Sequence, residues 1–600
     1  MGVFGLFSFL KPIEEIWTTI ELREKQLVID GSALCNSLYA DNGFDRRRGG
    51  QYEEFYNIIM SFFRSLRSVD VESFVVLDGA NISDNKLDTY KKRSKEKIQT
   101  ADMLAKNPAA ANKDVFVYPL LLNFVFTRAL RDLGVKFAVS DCEADSKIAS
   151  LANALKCPVL SNDSDFFIFD IEGGFIPLSS FKWQRCPSTA RIFYRRQLAE
   201  YFGILSELLP LFASLVRNDY VNLELLKPFH ENLRLQGTSG SKKEEKFRAI
   251  AKLLKKAPTS TEKEAIEFAI RRVPQDRSKN ELRRAIEISL QEYTIREREK
   301  HLVGYFQGND ISSSLKTQNN QEIEEWVLRR FRDGRFSTSC MSSLVSGKVL
   351  LKFQVENLQE TSANHCSQSL RRYIYGILNG APLPGGKSTM VQEWDRVGDQ
   401  VKPSSISPTD GENVPCLNEI PCLDPDKKLA LFLDALDSNT TNIKSLPAEL
   451  KLVAASLRFW ARNAYSKLEP NHLSAILCSC VKLEDGSWKE YLESCDGEAF
   501  DVRAAHSFSQ WQCVLRDVIH LNCVLEEPVE TPCIRKIFNG QLVHHLKREL
   551  ARGSKLESLI RTPNSLSRYQ DLYTAITANL EEEEEIAAEM QKFQLRASRN

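Results

Sequence analysis

The sequence predicts an α/β fold, a twisted parallel sheet flanked by helices, followed by a mostly α-helical C-terminal region. Three observations carry this reading. Four short apolar runs, QLVI, FVVL, VKFAV and CPVL, are bounded by Gly, Pro, Asn and Asp and separated by helix-length segments, the pattern of strands buried on both faces. Each run ends in acid: Asp30 closes the first, Asp78 the second, Glu143 and Asp145 follow the third, and Asp163 and Asp165 follow the fourth. Beyond Asp219, EAIEFAIRR, ELRRAIEISLQEY and QEIEEWVLRRFRDG repeat apolar residues at three- and four-residue spacing, as amphipathic helices do.

In an open parallel sheet the carboxyl ends of the strands share one edge, and ligands sit outside it. Asp30, Asp78, Glu143, Asp145, Asp163, Asp165 and Asp219 would therefore converge. Like charges so placed repel and raise one another's pKa values unless a cation lies between them. Oxygen-only ligation without His or Cys suits Mg²⁺ or Mn²⁺ and argues against zinc. One Mg²⁺ takes only one or two carboxylates, so the expectation is two ions roughly 3.5–4 Å apart, the arrangement used for phosphodiester displacement. For any single acid a helix cap or Asx-turn remains an open alternative.

The segments MGVFGL, VIDG, VLDG, CEADS, SNDSDF and RNDY resemble, in order and spacing, the flap-endonuclease superfamily of PIN-like, metal-dependent, structure-specific nucleases. The resemblance implies Asp30, Asp78, Glu143 and Asp145 around a first metal and Asp163, Asp165 and Asp219 around a second. Gly2 and Gly5 resemble the superfamily's N-terminal signature, which implies that the chain start packs near the active site and that Gly2 contacts substrate. With Leu6 at the sixth position, a myristoylation reading is weak. SDNKLDTYKKRSKEKIQTADMLAKNPAAANK is similar to the superfamily's basic arch, spanning about 80–125. By type and spacing Lys86 and Arg93 match the two arch cations that reach the scissile phosphate, with Lys91 and Lys92 beside them as substrate contacts. Their work would be electrostatic, holding the phosphate and offsetting charge in the transition state. The same basic run also reads as a solvated helix face or a nuclear-import signal.

Two departures bear on substrate. Asn36 stands where the superfamily has a stacking aromatic, with Tyr39 about one helical turn further on. In place of a Gly-x-Gly-Lys duplex-binding hairpin the chain reads VNLELLKPFHENLRLQGTSGSKKEEKF, leaving Gly237, Gly240, Lys242 and Lys243 as a looser phosphate-binding loop. Weakened duplex recognition favours single-stranded or overhanging DNA. PLSSFKW, RNDYVNL, SLRRYIYGILNG, HSFSQWQ and FNGQLVHHL resemble the asteroid homologue branch, which implies a single-strand-directed DNA endonuclease linked to DNA repair, with repair proteins as partners. The competing expectations are a non-catalytic docking platform that keeps the nuclease fold, and an RNA nuclease.

The 600 residues carry 80 basic and 80 acidic side chains, so no whole-chain polycation drives nucleic-acid binding. Cations cluster instead at 86–97, 242–256 and 271–300, beside the acidic pit. In the last of these the charges read as ordinary solvent-facing helix residues. The 14 cysteines contain no Cys-x-x-Cys, which excludes the usual zinc fingers. With no signal peptide or membrane-length apolar run, the expectation is a nuclear protein with reduced thiols and no membrane partner. His544 and His545 in LVHHL read as packing residues, and His506 has no catalytic part. The expected organisation is a nuclease domain at 1–220, a helical extension at 221–378 with a degenerate duplex-binding region, a Pro/Gly/Ser-rich linker or insertion at 379–427, a helical domain at 428–580 and an acidic helical or disordered tail at 581–600.

Overall fold

The computed structural model describes residues 2–80, 87–107, 116–185, 188–233, 242–258, 261–271, 273, 276–295, 301–308, 310–380, 389–409, 414–464, 468–492 and 499–578. Lys86, Gly237, Gly240, the arch tip at 108–115 and the tail at 581–600 lie outside the described residues, as do the side chains of Lys242 and Lys243.

The strands are β1 (Thr18–Leu22), β2 (Gln26–Asp30), β3 (Glu72–Leu77), β4 (Lys136–Val139), β5 (Val159–Ser161), β6 (Phe175–Pro177), β7 (Ser188–Ile192), β8 (Lys348–Leu350), β9 (Val391–Val397) and β10 (Gln400–Ile406). The central sheet has the order β4-β3-β2-β5-β6 and is parallel throughout. Four of its strands, β2 to β5, are the four acid-ended runs. From β2 the chain builds outward through β3 and β4, then returns to place β5 on the other side of β2. That reversal opens the crevice in which such sheets bind ligands.

Alternation along the strands explains why the runs read as continuously apolar. Leu27, Ile29, Val75 and Leu77 enter one core, while Val28, Phe74 and Val76 enter the other. The second core is covered by helices Leu6–Leu10, Asp145–Leu155, Leu209–Val216 and Asp276–Glu292. The first takes in helices Tyr52–Arg67, Ala448–Asn463 and Val502–Val524 and continues to Ile576. Trp460 and Trp511 are fully buried in it. Large apolar side chains so buried stabilise a fold by roughly 1.5–3 kcal/mol each. The C-terminal helices are therefore packed onto one face of the central sheet through a continuous core.

Within the segment read as linker or insertion, β9 and β10 form an antiparallel hairpin, and β9 also pairs in parallel with β8. Its sequence hides the strand. Glu393 and Arg396 of β9 are both buried, held by ion pairs to Arg371 and Glu356, so charged letters occupy positions that apolar residues would mark.

Candidate metal and nucleic-acid site

Each acid is aimed by the structure that follows its strand. Asp30 ends β2 and caps the helix Gly31–Ala40: Oδ1 accepts the Ala33 N–H at 2.9 Å, and the Ser161 hydroxyl donates to Oδ2 at 2.7 Å. The capping role open to it in the sequence is thus realised. The same Ser161 oxygen accepts the Asp163 N–H at 2.9 Å, so one hydroxyl ties the ends of β2 and β5 together. Asp163 in turn accepts the Asp165 N–H at 3.0 Å. Asp78 is exposed beyond β3 and accepts the Ala144 N–H at 3.1 Å, which links it to the loop carrying Glu143 and Asp145. That loop is braced from behind: buried Asp141 pairs with fully buried Arg332.

The carboxylates of Asp145, Asp163 and Asp165 offer oxygens that all lie within 4.8 Å of one another. Their crowding shows in their acidity. Burial, then the charge of Asp78, pushes Asp30 up to about 7, against the hydrogen bonds from Ala33 and Ser161. Desolvation raises Asp145 well above the usual range, and Asp163, Glu143, Asp30 and Asp78 add to the rise. Five of the seven expected acids thus act on one another, and Asp165 lies beside Asp145 and Asp163. An all-oxygen donor set that repels itself fits a hard divalent cation.

The seventh acid, Asp219, meets the basic helix expected to form the arch. In the arch helix Leu87–Lys106, Arg93 Nη2 lies 2.7 Å from each carboxylate oxygen of Asp219, and the Thr89 hydroxyl donates to the Asp219 carbonyl at 3.3 Å. One turn earlier on the same face, the Tyr90 hydroxyl donates to Glu143 at 2.6 Å. Lys92 is exposed, and the Lys91 ammonium sits 4.0 Å over the Trp394 ring.

Gly2 belongs to the site by shape. Its φ of +72° is in the left-handed region, and a Cβ there would collide with Asp163 Oδ1 and stand 2.6 Å from the Asp165 nitrogen. Only glycine lets the chain start lie against these acids.

Sequence reasoning missed the residues that steady the site from behind. The hydroxyl of buried Tyr293 donates to Asp165 Oδ1 at 2.5 Å. Asn218 Nδ2 donates to the Tyr293 oxygen at 3.2 Å and to Ser289 at 2.6 Å, while Asn218 Oδ1 accepts the N–H groups of Tyr220 and Val221. The loop bearing Asp219 is thereby wired to Asp165. Tyr293 follows a helix that reads from its sequence as charged and solvent-facing, so only the Asn in RNDY could have hinted at the link. Tyr39 is not available to stack on a base: it is fully buried among Phe44, Phe55 and Phe116, with its oxygen accepting the Gln51 N–H. His544 is buried against Phe500 and Phe508, as a packing residue should be. Among the described residues no single helix is long and apolar enough to cross a membrane.

With this geometry in hand, known proteins give the lineage. The chain is 31% identical over 622 aligned residues to the human protein named single-strand DNA endonuclease ASTE1, covering 96% of this chain and 90% of that one. The chain belongs to the asteroid family. Residues 487–590 match the family described as Asteroid N-terminal domain, and residues 116–407 match the one described as XPG domain containing. The protein asteroid of Drosophila melanogaster is 39% identical over 180 residues, 30% of this chain and 20% of the fly protein. Among solved structures, human GEN1 with Holliday junction DNA aligns at 14% identity and a TM-score of 0.30, covering 66% of this chain and 83% of that one.

Proposed function

We propose that this chain is a structure-specific DNA endonuclease that cleaves single-stranded or overhanging DNA by metal-dependent phosphodiester hydrolysis. The observation that carries the reading is the convergence of Asp145, Asp163 and Asp165 under a basic helix that delivers Arg93 to Asp219. The name borne by the human relative supports the single-strand preference. So does the replacement of the duplex-binding hairpin sequence after Asp219.

Asp30, Asp78, Glu143 and Asp145 would hold one divalent cation and Asp163, Asp165 and Asp219 a second, Mg²⁺ or Mn²⁺, because seven carboxylates exceed the needs of one ion. When bound, such cations neutralise phosphate charge and supply a nucleophile at neutral pH. The chain's own part is to position. Ser161 and Tyr293 fix the directions of Asp30 and Asp165, and Tyr90 fixes Glu143. Arg93, with Lys86, would draw the scissile phosphate onto the acids and offset charge as it develops. Lys92 would contact the flanking backbone. A nuclear, DNA-repair setting goes with that substrate.

The test is incubation of end-labelled single-stranded DNA, 5′-flap, 3′-overhang, duplex and matching RNA with the protein and Mg²⁺ or Mn²⁺, beside Asp78→Ala and Asp163→Ala. Cleavage of single-stranded or overhanging DNA that both substitutions abolish, with folding intact, is the expected result. Intact DNA throughout, or activity retained in both variants, overturns the reading.

A further inference from the structure

The arch helix is pinned to the C-terminal half of the chain. Ala101 and Leu104, both fully buried, pack with Val117 against Val355, and Phe500 joins them. Nearer its start, Lys91 rests on Trp394, a β9 residue in register with Leu350 of β8. These two anchor points lay the helix along the chain that leaves β8. Lys97 lies one turn before Ala101 on the same helix face, and Lys352 lies three residues before Val355. The seam therefore brings together two cations that are far apart in sequence.

Their charged neighbours indicate where they point. The charges of Lys352 and Arg93 act on the Lys97 ammonium, and the Lys352 ammonium lies near Cys35, on the helix that Asp30 caps, with the charges of Arg516 and Asp78 acting on it in opposite directions. Both side chains are exposed, and among the described residues neither makes an ion pair or a side-chain hydrogen bond. The backbone of Lys352 is nonetheless held, its carbonyl accepting from Asn364 Nδ2 at 3.2 Å. Protein walls desolvate the pair enough to draw Lys97 down to about 8, with Lys352 and Arg93 adding to the fall. Two neighbouring ammonium groups that make no ion pair among the described residues repel, and a polyanion relieves that repulsion.

We propose that Lys97 and Lys352 form a phosphate clamp that grips the sugar-phosphate backbone of a single strand beside the acidic site, so that the C-terminal half contributes directly to the substrate channel. This rests on the nucleic-acid reading above and adds the position of a second contact. Lysine is suited to the task because a single-stranded backbone presents phosphates at variable angles, which a point charge accepts and a rigid fork does not. The clamp is blind to base identity.

The test is fluorescence anisotropy of a labelled single-stranded oligonucleotide with the full chain in EDTA, over a series of salt concentrations. Wild type is compared with Lys97→Ala, Lys352→Ala, the double variant and Lys352→Arg. Each alanine is expected to weaken binding several-fold and to reduce the steepness of log affinity against log salt by about 0.7, the value for one single-strand phosphate contact. Arginine at 352 should restore both. In cleavage assays with metal, the alanines should raise KM more than they lower kcat. Wild-type affinity and salt slope in the double variant overturn the clamp while leaving the nuclease reading intact if that variant still cuts. Weakened binding by the alanines in a wild-type protein that cuts nothing overturns the nuclease reading and keeps the clamp. If the double variant melts low, the single variants, each lacking one exposed side chain, decide the matter by the same slopes.

Discussion

Arg93 Nη2 lies 2.7 Å from both carboxylate oxygens of Asp219, in a pair whose side chains are 30% and 19% exposed. A proposed phosphate ligand and a proposed cation ligand thus satisfy each other. Substrate and cation would each have to compete for a partner that is already engaged. In a double-mutant cycle of Arg93→Ala and Asp219→Asn, read by urea unfolding in EDTA, the coupling should be about 0.5–3 kcal/mol, the range for residues in contact. It should shrink at saturating Mg²⁺. Equal coupling under both conditions would show that the cation does not engage Asp219.

Gly2→Ala tests whether the chain start is part of the site. The substituted residue must leave its left-handed conformation or push Asp163 and Asp165 aside. Backbone strain of this kind costs on the order of 1–3 kcal/mol. Because the strain falls on two acids, the expected outcome is loss of cleavage by at least about tenfold with an unchanged far-ultraviolet circular dichroism spectrum. Wild-type kcat would mean that the N-terminus only covers the sheet.

The strands and the acids were legible because their signals are local. A buried parallel strand is an apolar run, and an acid at its end lies beside it in the sequence. The glycine at position 2 was legible through resemblance, and its steric reason needed the positions of Asp163 and Asp165. Tyr90, Asn218 and Tyr293 were not legible, since each matters through a partner at least 50 residues away or through another side chain, as Tyr293 does to Asp165. The β9–β10 hairpin escaped for another reason. Its alternation is broken by buried Glu393 and Arg396, whose neutralising partners Arg371 and Glu356 come from other elements. The packing of the C-terminal helices onto the sheet is a matter of which apolar faces meet, and periodicity marks a face without naming its partner.

Tyr293→Phe isolates the buried support of Asp165. The substitution keeps the ring, which packs on Phe169, and removes only the hydroxyl that donates at 2.5 Å. Outer partners of metal ligands typically contribute 10–100-fold to affinity or activity, so the Mg²⁺ concentration for half-maximal cleavage should rise by about that factor. A fall in kcat at saturating Mg²⁺ with no shift in that concentration would assign Tyr293 to some other task.

His544 makes the stability of the C-terminal half depend on pH. Burial pulls its imidazole down to about 3, and Arg48 adds to the fall. An unfolded histidine titrates near 6.5. Between these values the unfolded chain binds the extra proton and the folded chain does not, so stability contributed by the neutral ring is lost as pH falls below about 6.5 and goes on being lost down to the folded value. At pH 5 the loss is on the order of 2 kcal/mol. Asp30, raised to about 7, acts in the opposite sense over the same window, since its folded carboxyl binds the proton first. The measurement is therefore a difference. His544→Phe, which keeps an aromatic ring between Phe500 and Phe508, should gain stability relative to wild type by about 2 kcal/mol on going from pH 7 to pH 5 in urea unfolding. A constant difference across that range would mean that His544 can be protonated within the fold, with a solvent path to its ring.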